Sequence, residues 1–220
     1  GPAGEPEEEP PGLWLSWPQV FALLAAVAFL AAAVTWVFTG SDGRSAPGEV
    51  DVGFYRDMST HHEQAVQLSM LQLDRGQDPT VMAFATEILI FQNRELGIMG
   101  LRLADWGEDG PRPDTAMAWM GMPTPPDQMP GMATEAQIDA LRAAEGTEAD
   151  RLFLELMAEH HRGGVHMAAY AADHAEDEEV RRLAATMERF QSIEINEMAQ
   201  TADRLGLGIT IERVDVPPEA

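Results

Sequence analysis

Residues 58–66 read MSTHHEQAV and residues 157–165 read MAEHHRGGV, the same motif returning after a constant 99 residues. Met58, His61, His62 and Val66 become Met157, His160, His161 and Val165, and Asp74, Val81 and Ala85 become Asp173, Val180 and Ala184. Further along, Phe91, Gln92, Glu95, Met99 and Gly107 become Phe190, Gln191, Glu194, Met198 and Gly206, with no gap in either copy. Self-similarity at a fixed offset marks a duplicated structural unit. Each copy holds two stretches of helical period, 51–74 and 79–106 in the first, 147–174 and 176–205 in the second. Gly76, Gly107 and Gly206 punctuate their ends, and Asp78 followed by Pro79 is a helix-start signal. A helical hairpin with a polar inner face cannot bury that face alone, so two copies packed about a pseudo-two-fold axis predict an all-α fold, a four-helix bundle of two repeated hairpins.

The rest of the chain is organised around that repeat. Residues 1–12 form an acidic tail. No charge occurs from Pro10 to Ser41, and 20–38 is apolar except for Thr35, a run of about 28 Å as a helix. Trp14, Trp17 and Trp36 sit near its ends, where aromatic rings favour the headgroup zone. Residues 13–39 therefore predict an N-terminal transmembrane helix, a single-pass membrane anchor. The alternative is a cleavable signal peptide, but the apolar run continues past Ala31, Ala32 and Ala33. The positive-inside rule gives no orientation, because the preceding tail carries no Arg. A linker (40–50) leads to the first hairpin (51–107), a Met/Pro-rich loop with a short helix from Thr134 (108–149), the second hairpin (150–206) and a C-terminal tail (207–220), of which 209–216 looks strand-like.

Composition narrows the chemistry. Of 220 residues 45% are hydrophobic, enough for a core. There are 14 basic residues, all Arg, against 37 acidic ones, a formal charge of −23. Lysine chemistry is excluded, and an acidic chain with no basic stripe is repelled by phosphate backbones, so no nucleic-acid partner is expected. With no Cys, disulfides, thiolate zinc sites and iron–sulfur clusters are excluded, leaving His, Met and carboxylates as possible ligands.

At about 100° per residue, Met58, His61 and His62 share a helix face, as do Met157, His160 and His161. Ile88, Gln92, Glu95, Met99 and Trp106 form a stripe on the next helix, matched by Met187, Gln191, Glu194, Met198 and Leu205. Polar groups inside a bundle are costly unless paired or ligated, and metal ligation would pair these. A di-iron carboxylate bundle needs Glu-x-x-His, yet no His here has Glu three residues before it. Thioether with imidazole suits copper, Cu(I) above all, although another transition metal is possible. Core filling by Met and simple His–Glu pairing are the structural alternatives. Adjacent imidazoles diverge by about 100°, so the two of a pair need not share an ion.

Met117, Met120, Met122, Met129 and Met132 crowd the Pro/Gly-rich loop without helical period. Either they form an exposed thioether capture site for copper, with Trp119 over the ion, or the loop folds back and they cover a groove on the bundle. His166 points away from His161 on the wheel and reads as surface. Gly163 and Gly164 cost about 1 kcal/mol each in a helix, which close helix approach or room for an ion would offset.

The Met-x-x-His-His pattern, the downstream Phe-Gln-x-x-Glu-x-x-x-Met, the linker MPGMATEAQIDALRAAEG and the duplication together resemble the bacterial domain-of-unknown-function family number 305, which includes CopM-like copper proteins. The resemblance covers about residues 50–206. It implies a ferritin-like four-helix bundle, an extracytoplasmic location and, for some members, copper binding in copper homeostasis or tolerance. Carried over, its ligands would be Met58, His61, His62, Met99, Met157, His160, His161 and Met198. The expectation is a membrane-anchored extracytoplasmic copper-binding protein, not an enzyme, that sequesters copper or delivers it to a membrane-protein partner. The alternatives are a docking subunit of a membrane complex and a ferritin-like redox enzyme.

Overall fold

The computed structural model describes residues 17–39 and 46–219. The chain divides into two units, 1–45 and 46–220. In the first, α1 (Trp17–Thr39) is a continuous helix. Among the described residues no helix is long and apolar enough to cross a membrane. Positions 13–16 of the expected transmembrane segment, and the side chains of 19, 22, 23 and 32–39, lie outside the described residues, as do the tail 1–12 and linker positions 40–45.

The second unit is the expected duplicated bundle: α2 (Glu49–Arg75) and α3 (Pro79–Asp105), then α4 (Glu135–Ala143), α5 (Thr147–His174) and α6 (Glu178–Leu205). Side-chain caps start three of these helices, and α2 and α6 begin at Glu49 and Glu178 where the sequence placed them at 51 and 176. Asp78 accepts from the Thr80 and Val81 amides at the head of α3, Asp177 accepts from Glu179 and Val180 at the head of α6, and Thr134 with Gln137 forms a capping box on α4. Within each copy the helices pack as a hairpin, and α2 packs on α5 to join the copies.

One repeated pair that fixes this arrangement escaped the sequence reading. Asp51, wholly buried, accepts from the amides of Gly48 (2.7 Å), Glu176 (3.0 Å) and Asp177 (3.1 Å). Its counterpart 99 residues on, Asp150, accepts from the amides of Gln77 (3.1 Å) and Asp78 (3.0 Å) and from the Gln72 side chain (2.5 Å). Each copy thus caps the helix turn of the other, and the buried carboxylates find the donors they need.

Apolar side chains fall into two clusters. One gathers Leu68, Val81, Phe84, Ile88, Phe153, Leu154, Met157 and Met198. The other gathers Phe54, Tyr55, Met58, Met99, Trp119, Met167 and Met187. Along α2 and α5 the His-His pairs stand between residues of the two clusters.

The loop folds back onto the bundle. Asp57, buried on α2, accepts from the Met117 amide (2.6 Å) and the Trp119 indole N–H (2.7 Å), and the Trp119 ring lies over Gly53, where a Cβ would strike it. The ring meets Phe54 and Tyr170 edge-on. The described C-terminal tail forms no strand. Asn196 on α6 pairs with both the N–H and the C=O of Val214, and Ile209 and Ile211 pack on the first cluster. The tail's alternating apolar residues fasten it to the bundle and do not build a strand.

Candidate metal centre

The register of α2 on α5 brings the two copies of the motif together at their centre. The rings of His61 and His160 stack with centroids 3.7 Å apart and planes inclined by 32°. None of the four imidazoles of His61, His62, His160 and His161 is exposed to solvent. His62 Nε2 donates to a Glu95 carboxylate oxygen at 2.7 Å, and His161 Nε2 to Glu194 at 2.8 Å, so the pseudo-symmetry extends to the carboxylates. His61 Nε2 lies 3.1 Å from the Pro130 carbonyl of the loop, and the duplication supplies no equivalent for His160.

These partners assign the ring nitrogens. A carbonyl oxygen only accepts, so the His61 proton sits on Nε2 and its Nδ1 carries a lone pair. By the same reasoning the carboxylates place protons on Nε2 of His62 and His161. Nδ1 of all four histidines, and Nε2 of His160 as well, are buried with no partner. Burial and the neighbouring His62 push His61 down to about 3, and burial with the other imidazoles holds His160 well below its ordinary range. Both rings are therefore uncharged at neutral pH, with lone pairs that need no deprotonation before they bind a metal.

Among the described residues, no group of three or more His, Asp or Glu side chains could hold a metal ion. The reason is visible: Glu95 and Glu194 are hydrogen-bonded to imidazole Nε2 and orient the rings, and adjacent histidines diverge. Any further donors must come from outside that set. Met58 and Met99 sit in one apolar cluster and Met157 and Met198 in the other, and all four are buried. Imidazole and thioether together are a soft to borderline donor pair, which suits Cu(I) better than magnesium or manganese. Unpartnered Nδ1 atoms and oriented Nε2–H groups are what a metal-binding imidazole needs.

The loop methionines are not an exposed cluster. Met117 and Met129 are buried, Met120 and Met132 are half-buried, and only Met122 is open to solvent. Trp119 is committed to Asp57 and its aromatic neighbours. Of the two readings of this loop, covering a groove on the bundle is the one that describes it. His166 is on the surface, and so is His174, whose ring stacks on Tyr170. A Cβ at Gly163 would strike the Pro130 carbonyl, and one at Gly164 the Gln191 amide oxygen. These glycines serve close approach, by the loop and by α6 respectively. The Pro130 carbonyl is a site feature that sequence reasoning missed, because no periodicity links a loop to a helix face, and at Gly163 the close approach is made by that loop and not by a helix.

The family described as "Domain of unknown function (DUF305)" matches residues 51–202. A candidate secreted DUF305 protein from Streptomyces coelicolor is 38% identical, with 75% of this chain and 98% of that one covered at a TM-score of 0.67. A DUF305 fragment from Deinococcus radiodurans is 31% identical, covering 73% and 99% at 0.63. CopM in its Cu(II)-bound form is 30% identical, covering 70% and 97% at 0.57, and its Cu(I)-bound form is 27% identical, covering 70% and 96% at 0.56. Among curated proteins, none matches.

Proposed function

The chain belongs to the DUF305 family, and from that premise we propose that it is an extracytoplasmic copper-binding protein that holds Cu(I) between the repeats, on imidazole and thioether ligands. The observation that carries this reading is the layer of four fully buried histidines whose Nδ1 atoms have no partner, three of them with Nε2 already engaged by an oxygen. A dry core does not ordinarily keep five such nitrogens unsatisfied. His61, His62, His160 and His161 are the nitrogen donors, and Met58, Met99, Met157 and Met198 the sulfur donors. Copper bound in CopM, a relative of the same fold, supports the choice of metal. When bound, Cu(I) would supply the charge that the neutral rings lack, and the protein's part is to orient the ligands and exclude water. The role is binding, to sequester the ion or hand it to a membrane partner, and involves no turnover.

The candidate secreted relative supports placing the bundle outside the cytoplasm. We assign the apolar segment 13–39 to anchoring, since Phe21, Leu24, Phe29 and Leu30 of α1 are exposed and a bilayer would cover them. The test is an anaerobic Cu(I) titration against a competing chelator. Tight binding is expected, and it should be lost in His61→Leu/His160→Leu with helicity retained; equal affinity in that variant refutes the site.

A further inference from the structure

The two flanks of the histidine layer differ. On one, the loop seals it: Pro130 accepts from His61, Gly131 and Gly163 permit contact too close for any Cβ, and α4 packs over α2 and α5. On the other, α3 and α6 leave between them a groove of about 390 Å³ lined by both helices. Its lining repeats the pseudo-symmetry: Phe91 with Phe190 at 55% and 59% exposure, Gln92 with Gln191, and Glu95 with Glu194.

In the groove the buried imidazoles are joined to partly exposed carboxylates. Glu95 and Glu194, with side chains 20% and 21% exposed, are bonded directly to His62 and His161, which are wholly buried. Gln92 and Gln191 are each only 4% exposed, and the Oε1 of each is buried with no partner. Glu87 and Glu197 line the same groove, where Arg94 is the one basic lining residue.

We propose that the α3–α6 groove is the port through which Cu(I) reaches the histidine layer, with carboxylates collecting the ion and the Gln92/Gln191 amide oxygens passing it inward. This rests on the copper reading above. The donor gradient gives the port its direction. Carboxylate and amide oxygens hold a soft cation weakly, whereas imidazole and thioether hold it strongly, so the ion moves from mouth to core without being trapped on the way. A negative mouth also raises the local cation concentration.

Because the chain has no Cys, the groove can be closed selectively. In full-length Phe91→Cys/Phe190→Cys, the thiols are either bridged with a flexible bis-maleimide or capped singly with N-ethylmaleimide. Cu(I) is then supplied anaerobically as its bicinchoninate complex. Bridging should slow both uptake and chelator-driven release at least tenfold and leave the equilibrium affinity within twofold of the capped form. Equal rates in the bridged and capped forms overturn the port and leave the copper reading standing. Failure of the unmodified protein to bind Cu(I) tightly overturns the copper reading, and the port with it. Gln92→Leu/Gln191→Leu gives an independent check that needs no bridge: both rates should fall tenfold at constant affinity, and unchanged rates refute the relay.

Discussion

Acid should unfold the metal-free protein through His61 and His160 before its carboxylates contribute. His61 is held at about 3 in the folded chain and His160 well below its ordinary value, both chiefly by burial. In the unfolded chain each imidazole titrates near 6.5. Between those limits the unfolded state binds a proton at each site that the folded state refuses, so stability falls as pH falls, and above about pH 6.5 these sites contribute no pH dependence. The slope is about 1.4 kcal/mol per pH unit for each ring. At pH 5 the pair has therefore cost about 4 kcal/mol, a large share of the roughly 5–15 kcal/mol that holds a domain folded. Urea denaturation followed by far-ultraviolet circular dichroism at pH 8, 7, 6 and 5 measures this directly. Compared with His61→Leu/His160→Leu, which removes both groups, the parent should lose stability more steeply below pH 6.5, and the 37 acidic residues common to both cancel in the difference. Parallel pH profiles, or ring signals of His61 and His160 that titrate near 6.5 by NMR, would refute the assignment of two neutral buried imidazoles.

Three further outcomes follow from the geometry. Glu95→Gln/Glu194→Gln removes the charged acceptors that orient His62 and His161, and should weaken Cu(I) binding about 10- to 100-fold in a competition titration while the helices persist. Gly163→Ala drives a Cβ into the Pro130 carbonyl and should destabilise the protein, whereas Gly97→Ala, with open space around it on α3, should stabilise it by about 1 kcal/mol. Their melting temperatures should move in opposite directions. Asp57→Ala strands two buried donors, the Met117 amide and the Trp119 indole, and should cost about 1–3 kcal/mol for each, with Trp119 fluorescence reporting a loosened loop.

The bundle was legible because a duplication carries its own three-dimensional instruction. Two hairpins with matching polar faces have few ways to satisfy them other than against each other, and the His-His pairs met where that logic put them. The roles of Glu95 and Glu194 were half legible: the stripe placed them on the interior face, but their binding to Nε2 depends on how far α3 and α6 stand from α2 and α5. Asp51 and Asp150 obey the same 99-residue offset and went unnoticed, because an acidic residue in a first turn already has a local explanation in the helix dipole. The loop was least legible. Its contacts with Asp57, Gly53 and Gly163 link residues far apart in sequence, and five methionines in a polar loop look alike whether they bind an ion or fill a groove. The tail showed alternating apolar residues, and nothing in its own sequence says that Asn196 occupies the backbone groups a strand would need.

The measurement closest to the central claim is copper K-edge X-ray absorption on the protein loaded with one equivalent of Cu(I). The account predicts imidazole nitrogen and thioether sulfur together in the metal's coordination shell, with the nitrogen contribution reduced in His61→Leu/His160→Leu. A shell of oxygen and nitrogen without sulfur, or a spectrum that the double variant leaves unchanged, would contradict a copper centre built from the two repeated motifs.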